Sequence, residues 1–223
     1  GAGLNAVDAT DNYAYVANSD TNAQLQIMDV SNKSIPRLLT PYKLPNVSGS
    51  GAIGKSIFFN NNNVYMGTKT ATGPEFHIVN VATSSSPQEV GSKEIGADVN
   101  SIFVAGNTAY LATSDPNEEL KIFDVSDPAH MSEIGHFNAT GTEASNSLYL
   151  VGSTLYFGRV TGIDNEFYIL NVSNPGSIQL LRSQHIGSSV NGIRVRDNLA
   201  FLGTDDANKE FQVWNIANPA SIT

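Results

Sequence analysis

Alternation of apolar and polar positions recurs along the whole chain and predicts short β-strands. Each repeat opens on a segment whose apolar residues stand two positions apart, as Ile102 and Val104 do, which is typical of a half-buried strand. A turn rich in Asn, Asp and Gly follows, and then a second strand with an aromatic in constant phase. These aromatics are Tyr15, Tyr65, Tyr110, Tyr156 and Phe201, at steps of 50, 45, 46 and 45 residues.

A third segment of each repeat is apolar on both faces, as in Leu120–Val125 and Phe167–Val172. This pattern predicts an inner strand covered on both sides by neighbouring sheets. An Asp or Asn closes the segment, and in three repeats Asp-Pro or Asn-Pro comes shortly afterwards, which favours a turn. A weaker fourth strand is expected after the turn.

Four short strands per repeat, without helical periodicity, predict an all-β fold of the β-propeller type. We expect one domain over residues 1–223, with five blades of four-stranded antiparallel sheets and a short last blade. A fragment of a larger propeller is the alternative. The repeats span about 4–53, 54–98, 99–144, 145–189 and 190–223.

Charge and composition exclude several classes of partner and cofactor. Twelve Lys and Arg against twenty-one Asp and Glu give a net charge of −9, which repels nucleic acid and anionic lipid. The absence of cysteine excludes disulfides and cysteine-based zinc sites. The longest nearly apolar stretch, Leu148–Phe157, is too short to span a bilayer. We therefore expect no nucleic-acid partner, no direct membrane insertion by this segment and no cofactor.

Three segments carry a resemblance to a known family: Gly106–Thr113, Leu120–Pro128 and Phe167–Pro175 resemble the LVIVD repeat. The resemblance covers essentially the whole chain. It implies a β-propeller of exported or surface-associated bacterial and archaeal proteins, some of them pilin-like. It carries no catalytic motif, so it assigns no residue a role.

Two motifs that suggest ligand chemistry have simpler interpretations. Gly49–Ser56 matches the phosphate-loop pattern, but a strand follows where that motif needs a helix N-terminus, so we expect no nucleotide binding. Acidic residues recur in the loops before the third strands, where we interpret them as solubilising hairpin tips. The histidines lack paired metal-ligand spacing and are expected to be scattered surface residues, with no metal site; they are His77, His130, His136 and His185.

The residues that open the first strands form the candidate ligand-binding site. In a propeller the innermost strands begin around one mouth of the central channel, so equal repeat positions are expected to form a ring. The ring would hold water, an ion or a polar ligand; alternatively, its side chains bond the loop backbone that enters each blade. The five residues are Asn5, Lys55, Asn100, Asn146 and Asn191.

Together these features predict a non-enzymatic interaction or adhesion scaffold, extracellular or on a cell surface and of bacterial origin. Its partner would be a protein or a glycan. A structural spacer domain of a pilin-like protein is one alternative. A propeller-type hydrolase is another, although no repeat carries a cluster of acids, bases and nucleophiles.

Overall fold

The computed structural model describes residues 3–219 and 221–223. Within these residues the chain forms nineteen β-strands and two short 3₁₀ turns, Pro128–His130 and Pro175–Ser177. The strands make five antiparallel sheets, four of them with four strands and the last with three. The predicted all-β propeller with five blades and a short last blade is therefore confirmed for the described part of the chain.

Consecutive strands are hydrogen-bonded neighbours in every blade. Blade 1 contains β1 (Leu4–Ala9), β2 (Tyr13–Asn18), β3 (Leu25–Asp29) and β4 (Arg37–Tyr42). Blade 2 contains β5 (Gly54–Asn60), β6 (Asn63–Thr68), β7 (Phe76–Asn80) and β8 (Gln88–Lys93). Blade 3 contains β9 (Val99–Ala105), β10 (Thr108–Thr113), β11 (Leu120–Asp124) and β12 (Ser132–Phe137). Blade 4 contains β13 (Ser145–Val151), β14 (Thr154–Arg159), β15 (Phe167–Asn171) and β16 (Gln179–Gln184). Blade 5 contains β17 (Val190–Arg196), β18 (Leu199–Thr204) and β19 (Phe211–Asn215).

The turns between first and second strands use residues that tolerate positive φ, as predicted. In blade 2 the turn residues Asn61 and Asn62 have φ of 49° and 65°. Two successive positive φ angles are typical of a type I′ hairpin, whose twist suits the flanking strands. Gly106, Gly152 and Asp197 have positive φ at the same place in later blades.

The chain divides into two compact units. The first comprises Gly1–Thr108 with Asp124–Ser132, and the second comprises Ala109–Phe123 with Glu133–Thr223. The core of the first unit includes Tyr15, Leu25, Ile27, Val64 and Val79. The core of the second unit includes Tyr156, Phe167, Ile169, Val190 and Leu202. Within each unit these residues lie on two consecutive blades. Burial of their side chains therefore stabilises the packing of one blade against the next.

The outer strand carries a β-bulge at one common place in blades 1, 2 and 4. Leu38 pairs with Met28 and Thr40 with Ile27, which leaves Leu39 as the extra residue. Val90 and Leu181 are the extra residues of β8 and β16. Bulges bend a strand and re-aim its side chains. The feature therefore belongs to the repeat and not to one blade.

The residue after the bulge contacts the backbone of the next blade within the same unit. A Cβ at Gly91 would lie 1.9 Å from the Pro128 carbonyl oxygen, and one at Gly135 would lie 2.0 Å from that of Pro175. Thr40, at the same place in blade 1, donates its hydroxyl to the Ser84 carbonyl oxygen at 3.0 Å. This contact accepts either glycine or a side chain that can hydrogen-bond.

The third strand of the last blade is less buried than the third strands of the other blades. Phe211 is 66% exposed, whereas its repeat equivalents Leu25, Phe76, Leu120 and Phe167 are fully buried. Backbone hydrogen bonds in both directions pair Thr223 with Asn215 beside β19. Among the described residues no helix is long and apolar enough to cross a membrane.

Candidate functional site

Three of the five predicted ring residues lie in the first unit, and two of them are bonded. The Lys55 ammonium donates to the Asn100 side-chain oxygen and, at 2.8 Å, to Asp98 Oδ2. Asn5 Nδ2 donates to the Gly54 carbonyl oxygen at 2.6 Å. Each of these bonds links one blade to the next.

Asp98 is the electrostatic partner of Lys55. Burial by itself would raise the pKa of Asp98, but hydrogen bonds from Lys55 and Thr70 outweigh it and lower the pKa. The Thr70 N–H and hydroxyl both reach Asp98 Oδ1, at 2.8 and 2.9 Å. The ion pair is partly exposed, so solvent weakens it. Lys55 is thus engaged by an acid that sequence reasoning did not include in the ring.

The other two ring residues lie in the second unit and bond to each other. Asn146 Nδ2 donates to Asn191 Oδ1 at 2.8 Å, from half-buried Asn146 to exposed Asn191. Within each unit, therefore, the first-strand positions of successive blades meet through polar contacts. These contacts favour the interpretation in which the residues join blades, and ligand binding by all five stays a prediction.

The segment that matches the phosphate-loop pattern runs into a strand. Gly54–Asn60 forms β5, paired antiparallel with β6. The expected strand is confirmed, and no helix N-terminus follows the lysine as phosphate binding in that motif requires. The absence of nucleotide binding stays a prediction.

The interpretation of the acidic loops as solubilising tips is wrong for Glu119 and Glu166, the last residues of two of these loops. Glu119 and Glu166 are fully buried directly before their third strands, as are Glu75 and Gln24 at the same repeat position. Each uses a side-chain oxygen to accept a backbone N–H twenty residues downstream. The donors are Leu44 for Gln24, Ile95 for Glu75, Ala139 for Glu119 and Ile186 for Glu166, at 2.7–3.0 Å.

The repeat position of these residues, although not their burial, could have been recognised from the sequence. An acid or amide directly precedes the third strand in every repeat: Gln24, Glu75, Glu119, Glu166 and Glu210. Only an oxygen acceptor is common to both residue types, which suggests a hydrogen-bonding role. Glu210 in blade 5 is exposed, so the repeat position alone does not determine burial.

Glu119 forms a buried ion pair with Arg159, which is 1% exposed. Arg159 Nη2 donates to Glu119 Oε1 at 3.0 Å and to Glu143 Oε2 at 3.2 Å. Its other guanidinium nitrogens donate to the carbonyl oxygens of Thr140 and Glu143. Burial raises the pKa of Glu119, while the Ala139 N–H and the Arg159 charge act in the opposite direction. The charges of this network lie inside the protein, and each of these carboxylate oxygens accepts a hydrogen bond from Arg159 or from a backbone N–H.

Within residues 3–219 and 221–223, no cation pairs with Glu75. Its Oε2 accepts the N–H groups of Ile95 and Gly96 at 2.9 and 3.0 Å. Its Oε1 is buried and has no hydrogen-bond partner in the part of the chain that the structure describes. Burial raises the pKa of Glu75, and the N–H donors only partly oppose this. Protonation of Glu75 therefore removes the free-energy cost of burying an unpaired negative charge.

The expectation that His77 is a surface residue is wrong. His77 is fully buried on β7, with Nδ1 2.7 Å from Glu89 Oε1 and Nε2 2.8 Å from the Pro74 carbonyl oxygen. Both ring nitrogens are thus occupied by structural contacts. The apolar residues on either side of His77 concealed a polar contact that depends on β8, which is distant in the sequence.

Blade 3 brings together three groups of the kind that bind metals. Ligand atoms of Glu118, Glu133 and His136 all lie within 4.8 Å of one another. Sequence spacing did not reveal the cluster, because Glu118 precedes β11 whereas the other two residues lie on β12.

Solved structures with the same fold are distant in sequence. A computationally designed protein, Ika8, has a TM-score of 0.68 at 16% identity over 97% of this chain and 59% of its own. A functionally unknown protein from Desulfotomaculum acetoxidans has a TM-score of 0.75 at 14% identity over 99% and 68%. The periplasmic gluconolactonase of Pseudomonas aeruginosa has a TM-score of 0.74 at 12% identity over 95% and 65%. The chain thus spans less than two thirds of two of these proteins, and the likeness concerns the fold.

The family comparison agrees with the repeat structure. The LVIVD repeat profile matches residues 5–43 and 96–139, which cover blade 1 except Leu4 and the whole of blade 3. A search of curated proteins finds no match to this sequence. The two repeat matches and the five blades together support an LVIVD-repeat β-propeller.

Proposed function

We propose that this chain is an extracellular or cell-surface interaction scaffold that binds a partner protein. The observation that carries the proposal is an apolar patch on the outer edge of blade 1, formed by Ile35, Leu38 and Leu39 and called here the outer patch. Exposed apolar side chains that lie close together favour protein contact, because their burial removes apolar area from water.

The shape and chemistry of the outer patch suit a protein interface. Ile35 is 65% exposed and Leu38 is 52% exposed. A cavity of about 270 Å³ beside them is lined by Ile35 and by polar residues that include Asp29 and Arg37. Arg37 pairs with Asp29 at 3.0 Å. Apolar anchors bordered by polar groups are the usual anatomy of a protein interface.

The outer strands of blades 2 and 3 carry an acid where blade 1 has Leu38. Glu89 and Glu133 occupy that position. The Glu89 carboxylate contacts buried His77, whereas Glu133 is exposed, and an exposed charge on an edge strand opposes association. Blade 4 has Leu180 and Leu181 there. The pattern separates two blades with apolar edges from two with acidic edges, and it supplies matched variants for a test.

Saturable binding to intact cells of the source organism tests the proposal. We expect the labelled chain to bind, and Leu38→Glu/Leu39→Glu to weaken binding by about tenfold or more, the scale of a hot-spot loss. Leu180→Glu/Leu181→Glu makes the same charge change at the same strand position and should bind as the wild type does. Protease treatment of the cells should abolish binding, whereas survival of binding would indicate a glycan.

Binding that the Leu38→Glu/Leu39→Glu variant leaves unchanged would refute the role of the outer patch. The absence of any saturable binding would favour a structural spacer in a pilin-like protein. We also propose that the chain is not an enzyme, although one fold relative is a gluconolactonase. Hydrolysis of gluconolactone by the purified chain above the rate in buffer would contradict this.

A further inference from the structure

Three side chains at the edge of blade 3 are arranged as metal ligands. Glu118 stands in the loop before β11, and Glu133 and His136 lie on β12. All three belong to the second unit. Glu118 is half-buried, and the other two residues are exposed, so the cluster is accessible to an ion from solvent.

Two of the three distances between ligand atoms are close to those of tetrahedral coordination. Zinc–ligand bonds of 2.0–2.2 Å place ligand atoms roughly 3.3–3.6 Å apart around a tetrahedron. His136 Nδ1 lies 3.0 Å from Glu133 Oε1 and 3.6 Å from Glu118 Oε1. The third pair, Glu118 with Glu133, lies within 4.8 Å, so side-chain adjustments would bring the three atoms onto one ion.

A buried lysine orients the first of these ligands. Lys121 Nζ contacts Glu118 Oε2 and lies 3.3 Å from Asp115 Oδ2. Lys121 thus holds one oxygen of Glu118, while Oε1 is the oxygen that faces His136. Hydrogen bonds of this kind position metal ligands in known sites.

Beside the cluster lies a groove of about 360 Å³, lined by residues that include Glu133, His136, Pro175 and Gly176. Three protein ligands leave a fourth tetrahedral position for water or an exogenous group. One imidazole with two carboxylates suits zinc and its neighbours, whereas calcium and magnesium prefer sites made wholly of oxygen. We infer that Glu118, Glu133 and His136 bind a divalent transition metal of the zinc class.

Calorimetric titration of the chelator-treated chain with ZnCl₂ at neutral pH tests the inference. We expect one ion per chain, and His136→Gln and Glu133→Gln each to weaken binding by about tenfold or more. The matched control is His130→Gln. His130 pairs with Asp127, three residues before it, at 2.8 Å, as His136 pairs with Glu133. Among the described residues, however, His130 belongs to no group of three possible ligands. Its replacement should therefore leave zinc binding unchanged.

A second readout identifies the coordination. Cobalt(II) should give the intense visible absorption of a four-coordinate ion, and His136→Gln should abolish it, while circular dichroism confirms that the variant is folded. Calcium at the same concentration should not compete with zinc. Absence of zinc binding, equal weakening by His130→Gln, or affinity unchanged in His136→Gln would each overturn the site, the last showing an adventitious ion only.

Discussion

Blade 2 and blade 3 place a glutamate at the same buried repeat position and treat its charge differently. Glu75 and Glu119 both accept a backbone N–H twenty residues downstream. The second oxygen of Glu119 accepts from the guanidinium of Arg159, whereas that of Glu75 has no hydrogen-bond partner among the described residues. The shared function of the position is therefore acceptance of a loop amide, and the charge is a separate property that only one of these sites neutralises.

Blade 1 shows that the charge is dispensable. Gln24 Oε1 accepts the Leu44 N–H at 3.0 Å, and its Nε2 donates to the carbonyl oxygens of Thr21 and Ala52 at 2.8 and 3.0 Å. Both the oxygen and the nitrogen of this neutral side-chain amide are thus hydrogen-bonded. A buried polar atom is costly only when it is unpaired, so the three blades predict three different responses to substitution.

Removal of the compensating cation should have the largest effect. Arg159→Met leaves Glu119 buried without its guanidinium, and loss of one partner of a buried ion pair costs about 3–5 kcal/mol. We expect the free energy of unfolding in urea to fall by that amount. The double variant Arg159→Met/Glu119→Gln should lose less, because no buried charge is left unpaired. Equal losses would show that the contacts of Arg159 with Thr140 and Glu143 carry its whole contribution.

Removal of the acceptor should have the next largest effect. Glu166 Oε2 accepts the N–H groups of Ile186 and Gly187 at 2.7 and 3.2 Å. Glu166→Ala leaves both donors unpaired, and we expect a loss of about 2–3 kcal/mol in the same urea assay. Glu210→Ala makes the identical change at the exposed fifth copy and should stay within about 0.5 kcal/mol of wild type. Similar losses in the two variants would show that burial of the glutamate does not determine the loss of stability.

The strands and turns could be predicted because their signals are local. Apolar alternation and turn residues such as Asn61 and Gly106 determine pairing between segments that are adjacent in sequence. Burial of Glu119 and His77 could not be predicted in this way, since each depends on partners that the fold brings from elsewhere, Arg159 and Glu89. The predicted ring was partly informative: equal repeat positions do bond in Lys55 with Asn100 and in Asn146 with Asn191. The engagement of Lys55 by Asp98 was missed because Asp98 stands outside the repeat pattern that defined the ring.

The central claim is that this repeat position requires an acceptor and not a charge, and Glu75→Gln tests it most directly. The raised pKa of Glu75 means that the folded protein holds its proton more tightly than the unfolded chain does. The stability that this proton provides is complete below the ordinary carboxyl pKa of 4.5 and is lost as pH rises through the raised value.

The measurement is the free energy of unfolding against pH for wild type and Glu75→Gln, both by urea titration. We expect the two curves to lie close together at pH 4 and to separate as the pH rises, with the variant more stable at pH 7 by about 1 kcal/mol, because its amide nitrogen can donate as that of Gln24 does. A variant less stable than wild type at pH 7, with a gap that widens from pH 4, would contradict the claim and show that the position depends on the carboxylate charge.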